Sequence, residues 1–500
     1  MESQLRLKSR QGRWVVVAAA LGSGMAMLDG TVVNVALPAI GDDLGASLAA
    51  LQWTVNAYLL TLAGLILLGG SLGDRYGRRR IFVIGVCWFA AASGICAIAP
   101  SVGVLVAARA LQGVGGALLT PGSLALLQAS FHPDDRSAAV GAWSGLGGVA
   151  TAVGPILGGW LVSGPGWRWI FVINLPVAVV VAVLTLRHVP ESRDEQATGG
   201  FDVPGSVLAA LSLGGVTYAL TAAAEQVSAA VWVSAVAGVL LGVAFVTVER
   251  RSAHPMLPLE LFRSRLFSAV NLVTLGVYGA LGGIFFFLQV QLQTVSGFEP
   301  LVAGVAFAPV TVLMLLFSAR AGALATRIGP RLPLTAGPLI AAGGVLLMLR
   351  IGPDASYWTD VLPAAVLFGI GLTLLVAPLT ATVLAAVEVR RAGIASGVNN
   401  AAARAAGLLA VAALPLLTGL SGEQYRVPSA VDAAFRTAVL ICAGVLAAAG
   451  LLALATVPGR PPVPEPTPTG EPTVEPDGTW YCGTTGPPVD PGHECPGSTR

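Results

Sequence analysis

Read for polarity alone, the chain alternates long apolar stretches with short polar breaks. A helix needs about 20 mostly apolar residues to cross a bilayer. Stretches of that length begin near residues 14, 51, 80, 104, 138, 169, 204, 229, 267, 300, 333, 358, 393 and 433. The pattern predicts an all-α integral membrane protein with fourteen spanning helices and mostly short connections. Beyond about residue 457 the chain turns to Pro, Thr, Glu and Gly, so 457–500 is expected to be a disordered cytoplasmic tail.

Charge fixes the orientation of these spans. Arg6, Lys8, Arg10 and Arg13 precede the first, Arg75, Arg78, Arg79 and Arg80 follow the second, and Arg390 and Arg391 follow the twelfth. The intervening even-numbered breaks are also basic, through Arg136, Arg187, Arg193, Arg250, Arg251, Arg263, Arg265, Arg320, Arg327 and Arg331. The opposite breaks hold only Arg168, Arg350, Arg426 and Arg436. By the positive-inside rule both termini are expected in the cytoplasm of a bacterial cell membrane. The basic N-terminus superficially looks like a signal peptide, but its apolar run is too long for one and is expected to stay as the first span.

Composition agrees with this reading. Of 500 residues, 55% are hydrophobic and 11% charged, with a mean hydropathy of +0.78, more apolar surface than soluble cores hide. Cys87, Cys96 and Cys442 lie in apolar runs, where they pack as small hydrophobes. Cys482 and Cys495, with His493, sit in the tail at a spacing that matches no metal-ligand pattern. No metal, cofactor or nucleic-acid partner is expected.

A repeat is hidden in the loops. GSLGDRYGRRR (70–80) recurs as GALATRIGPRL (322–332), with Gly70, Leu72, Arg75, Gly77 and Arg79 matching Gly322, Leu324, Arg327, Gly329 and Arg331 at an offset of 252. GAWSG (141–145) and GIASG (393–397) match at the same offset. The expected layout is a six-helix half over 1–190, two inserted helices over 200–250, and a second six-helix half over 262–456. Parallel six-helix halves are an architecture of secondary transporters, with substrate held near the bilayer midplane.

The motifs then bring in a family. Gly70, Leu72, Asp74, Arg75, Gly77, Arg78 and Arg79 resemble the cytoplasmic loop signature of the major facilitator superfamily, and RALQGVGGA (109–117) resembles its next one. GPILGG (154–159), with Gly154, Pro155, Gly158 and Gly159, resembles the motif associated with antiporters in that superfamily. LDGTVVNVALP (28–38), WRWIFVINLP (167–176), FDVPG (201–205) and LPLELF (257–262) are similar to signatures of its 14-helix drug:proton antiporter branch. The resemblance covers about residues 10–455. It implies export of drug-like compounds by alternating access, driven by the proton gradient, from a monomer. It also implies a cytoplasmic gate at Gly70, Asp74, Arg75, Gly77, Arg78 and Arg79. Asp74 is expected to meet the N-terminus of span thirteen near Gly393, where a helix dipole is positive, with a simple positive-inside anchor as the competing reading. Close helix approach there favours Gly70.

One carboxylate, Asp29, falls well inside a span. On a helix it points about 140° away from Asn34, while Thr31 and Asn34 lie about 60° apart, so span one does not face lipid: it is enclosed or borders a cavity. Burial disfavours the charged form of a carboxyl, so such a group can hold a proton in one conformation and release it in another. Arg109 shares a stripe with Gln112, Gly113 and Gly116 at i, i+3, i+4 and i+7 and is the candidate partner, with snorkelling to the membrane surface as the competing explanation. Asn34, Asn56, Tyr58, Gln112, Trp143, Gln289, Asn400 and Arg404 are candidates for the substrate cavity. The lack of a second buried acid points to amphipathic neutral or singly charged compounds. A dedicated exporter of one metabolite or self-made antibiotic, a nutrient symporter and a transport-inactive sensor stay open as alternatives. Nothing in the sequence supports an enzyme, since no His/Asp/Glu cluster or phosphate loop is present.

Overall fold

The computed structural model describes residues 5–193, 202–252, 255–387 and 391–459. The tail cysteines and most of 457–500 lie outside the described residues. Apart from one isolated bridge between Leu5 and Phe131, all regular structure among the described residues is helical.

The first half begins with α1 (Arg10–Leu44), α2 (Leu48–Tyr76), α3 (Arg78–Ala97) and α4 (Val102–Ser130). A 31-residue helix, α5 (Pro133–Ser163), follows. Next come α6 (Trp169–His188), α7 (Val203–Glu225) and α8 (Ala229–Arg251). The chain continues through α9 (Arg265–Val295), α10 (Pro300–Ile328), α11 (Arg331–Arg350), α12 (Tyr357–Ala385), α13 (Ile394–Thr418) and α14 (Pro428–Thr456). Thirteen of these, all but α5, are long and apolar enough to cross a membrane by the described residues alone.

Local chemistry sets their ends. Ser9, Ser47, Ser101 and Ser264 cap helix N-termini by accepting from the backbone N–H three residues on. Gly77 ends α2 at φ +108° and Gly329 ends α10 at φ +86°, a region that side chains avoid. These two glycines are the matched pair of the 252-residue repeat. Their neighbours behave alike as well: Arg79 donates to the Val189 carbonyl and Arg331 to the Leu454 carbonyl, each just beyond or near the end of the last helix of its half.

Packing repeats in the same way. α1 packs on α5 and α6, α2 on α4, and α3 on α4 and α6. Eight helices later, α9 packs on α13 and α14, α10 on α12, and α11 on α12 and α14. Helix α7 leans on both α2 and α13, with Gly64 against Ala210 and Gly214 against Leu60. Helix α8 packs mainly on α7, through Gly215 against Gly238 and the Ser212 hydroxyl donating to the Gly238 carbonyl at 2.8 Å. Most of its other side chains face outward, Trp232, Val233, Val239 and Leu240 among them.

The halves meet unevenly. One buried apolar cluster joins the second half to the arginine-poor ends of the first, from Val32–Ile40, Leu48–Val55, Ala97–Ala108 and Leu161–Phe171. A separate cluster, including Val15, Met25, Phe82, Phe89, Leu127 and Val181, holds the arginine-rich ends of the first half among themselves. Polar contacts follow the same division. Gln52 donates to the Val411 carbonyl at 2.7 Å, Gln293 to Val35 at 3.0 Å, Tyr425 to Ala46 at 2.7 Å and Arg426 to Gly41 at 3.0 Å. All four bonds cross between the halves towards the arginine-poor face.

Candidate functional site

The centre of the first half is a closed polar cluster. Asp29 and Arg109 are both 1% exposed and form a direct ion pair. The same carboxylate accepts from Gln112 Nε2 at 2.9 Å and from Asn174 Nδ2 at 3.2 Å. Both amides also donate to the Ser93 hydroxyl, at 2.6 Å and 3.0 Å. Arg109 donates further to the Thr54 carbonyl at 3.1 Å and to Gln112 Oε1 at 2.6 Å, and its guanidinium lies 4.3 Å from the centre of the Tyr58 ring. Snorkelling therefore does not explain Arg109.

This arrangement matters because two buried charges are costly unless their remaining hydrogen-bonding positions are filled. Here the fillers come from five helices: Asp29 from α1, the Thr54 carbonyl and Tyr58 from α2, Ser93 from α3, Arg109 and Gln112 from α4, and Asn174 from α6. A change of charge at Asp29 is felt by all of them. Ser93 and Asn174 were not anticipated. The only signal for Asn174 was its place inside WRWIFVINLP, and nothing marked Ser93 among the small residues of α3.

The other candidates separate. Tyr58 donates to the Ala26 carbonyl at 3.1 Å, and with Gln112 it belongs to the charge cluster rather than to an open cavity. Trp143 donates to the Ser23 hydroxyl at 2.8 Å, which clips α5 to α1. Asn34 donates to the Gly30 carbonyl of its own helix, and Asn400 to that of Ser396. Asn56 is fully buried, and neither of its amide atoms has a partner. Gln289 is buried with Oε1 unpartnered. Arg404 and Tyr278 are half-buried, and Asn400, one turn from Arg404, is exposed.

Two motif regions gain a physical account. In GPILGG, a Cβ at Gly154 would overlap the Thr31 hydroxyl, and one at Gly158 would press on Val32, so these glycines seat α5 on α1. Gly159 faces the other way, where a Cβ would meet the Pro300 carbonyl at 2.5 Å, and a Cβ at Gly304 would overlap the Pro155 carbonyl. The motif thus holds α5 to both halves at once. In the loop after α2, the close approach belongs to Gly69, whose Cβ would overlap the Ala117 carbonyl. At Gly70 a Cβ would sit 3.6 Å from Pro121, an ordinary contact, which corrects the assignment of close packing to Gly70.

Within that loop Asp74 is held by Arg78 at 2.7 Å, while the Arg79 backbone N–H donates to Glu191 at 3.0 Å. Arg75 lies with its guanidinium carbon 5.9 Å from the Tyr76 ring centre. The surroundings of Gly393, the expected partner of Asp74, lie outside the described residues. No group of three or more potential metal ligands gathers among the described residues.

An all-helical membrane fold that encloses an ion pair among its spans fits a membrane transporter. Residues 19–412 match the family model described as Major Facilitator Superfamily, and the chain belongs to that family. It is similar to a puromycin resistance protein of Streptomyces alboniger, 39% identical over 80% of this chain and 81% of that one. It is 37% identical to a tetracenomycin C resistance and export protein of Streptomyces glaucescens, over 80% and 75% of the two chains. It is also 37% identical to the multidrug resistance protein Stp of Mycobacterium tuberculosis, over 77% and 72%. Among solved structures, the fold is shared with an inward-facing bacterial homologue of the human lysosomal transporter Spinster. The TM-score is 0.62 at 18% identity, covering 90% of this chain and 97% of that one.

Proposed function

We propose that this protein is a proton-coupled antiporter that exports amphipathic drug- or antibiotic-like compounds from the cytoplasm by alternating access. In this reading fourteen helices span the bacterial cell membrane in a 6+2+6 layout, with both termini cytoplasmic. The observation that carries it is the enclosed Asp29–Arg109 pair, placed in the half whose two ends are bound differently to the other half.

The chemistry runs as follows. With the arginine-poor, external side closed, the Asp29 side chain is held by Arg109, Gln112 and Asn174. Proton uptake neutralises the carboxylate and leaves Arg109 without its counter-charge. The donors contributed by α3, α4 and α6 then lose their common acceptor, and the half that they build can shift against the other. Proton entry is driven by about 2.3 kcal/mol per 100 mV of membrane potential, in addition to the pH gradient. Two of the relatives are named for single antibiotics, which favours a dedicated antibiotic exporter as the second reading.

The test is gradient-driven efflux from everted membrane vesicles for a panel of dyes and antibiotics. Asp29→Asn is expected to reduce gradient-driven transport to the level of vesicles lacking the protein. Undiminished gradient-driven efflux by that variant would remove Asp29 from coupling.

A further inference from the structure

The second half carries a charge that the coupling cluster does not use. Arg404 is half-buried in α13, about 11 residues from the cytoplasmic end, roughly 16 Å deep at the rise of an α-helix. Among the described residues no carboxylate or carbonyl accepts a hydrogen bond from it. Helix α9 lies beside it at Tyr278, whose backbone carbonyl would sit 3.9 Å from a Cβ at Gly407.

Its position in the seam is well defined. Helices α2 and α13 run antiparallel, with Gln52 bound at Val411 and Leu67 meeting the Gly397 position. Arg404 is thus level with the middle of α2. Towards the arginine-rich face, Asn400 on the same stripe is exposed, and Tyr278 on α9 is half-buried, so this stripe borders open space. Among the described residues in the middle of the bundle, Asp29 is matched by Arg109, which leaves Arg404 as the uncompensated charge. A cationic compound entering here meets no unpaired carboxylate. An anionic one meets a guanidinium that lacks an acceptor.

We propose that Arg404 selects substrate charge, so that the cavity takes aromatic compounds bearing a carboxylate or phenolate in preference to cations. This rests on the reading of the chain as an exporter with its cavity between the halves. The guanidinium binds the anionic oxygens in its forked geometry, and Tyr278 and Asn400 supply neighbouring donors. Exclusion between substrate and proton is conformational rather than competitive, because Asp29 is enclosed within the first half and out of the substrate's reach.

The experiment is equilibrium dialysis of the purified full-length protein in detergent micelles, with micelle-only controls and no proton gradient. The probes are 4,5-dihydroxyanthraquinone-2-carboxylate, its neutral methyl ester, and ethidium. Wild type is expected to bind the carboxylate about tenfold tighter than the ester or ethidium, a difference of about 1.4 kcal/mol. Arg404→Gln is expected to erase that preference and Arg404→Lys to keep most of it. Equal binding of carboxylate and ester by wild type, absence of carboxylate binding, or an unchanged preference in Arg404→Gln would each overturn the proposal. The comparison of probes on wild type needs no variant to fold. Because binding is measured without a gradient, its outcome is independent of whether Asp29 couples transport to protons.

Discussion

At the scale of single residues, the central cluster is asymmetric in what each member can lose. Arg109→Gln would leave the Asp29 carboxylate enclosed with only amide and hydroxyl neighbours, whereas Asp29→Asn would leave Arg109 with the Thr54 carbonyl and Gln112. Removing one partner of a buried ion pair costs about 3–5 kcal/mol, while replacing both with neutral groups costs far less. Arg109→Gln should therefore melt well below wild type in detergent, and the double variant with Asp29→Asn should recover much of the loss. Additive losses in the double variant would show that the pair is not the stabilising unit. Asp29, Arg109 and Gln112 were legible in the sequence because an ionisable group in an apolar run, or a polar stripe at helical spacing, needs an enclosed environment. Asn174 was not, since a lone amide near a helix start carries no periodic signal and its partner is 145 residues away.

At the scale of elements, the helices and their order follow from the length of apolar runs, and the repeat from two matching loops. What the sequence could not convey is which glycine touches what. Gly154 and Gly159 are alike on paper, yet one meets α1 within its own half and the other meets α10 across the seam. The backbone carbonyl of Pro300 cannot yield to a side chain as a flexible neighbour would. Gly159→Leu should consequently force α5 and α10 apart and open the arginine-poor face. Spin labels at the exposed positions Asp42 and Ser429, one on each half at that face, should report longer distances in this variant than in wild type. Gly154→Leu disturbs packing within one half, so the same label pair distinguishes the two roles of the motif. Unchanged distances in Gly159→Leu would mean that this contact does not hold the face closed.

At the scale of the whole molecule, closure of one face is a balance, and Asn56 shows what opposes it. Apolar contacts and four polar bonds hold the arginine-poor face shut. On the same side of α2 as Gln52, one turn further along, Asn56 is enclosed without a partner for either amide atom. Leaving a buried amide unsatisfied costs about 1–3 kcal/mol, so the closed state carries a penalty that separation of α2 and α13 relieves by admitting water. In the proposed alternating-access cycle this seam opens at every turn, and a shallow closed state favours that opening. Asn56→Leu replaces the amide with an apolar group of similar size and should deepen the closed state. A shift of about 1.4 kcal/mol changes the ratio of closed to open molecules tenfold. The Asp42/Ser429 label pair should then show a narrower, shorter distance distribution, opposite in sign to Gly159→Leu. Efflux should slow even though the variant's melting temperature rises. Faster transport, or a distance distribution identical to wild type, would mean that the unpaired amide plays no part in setting the balance.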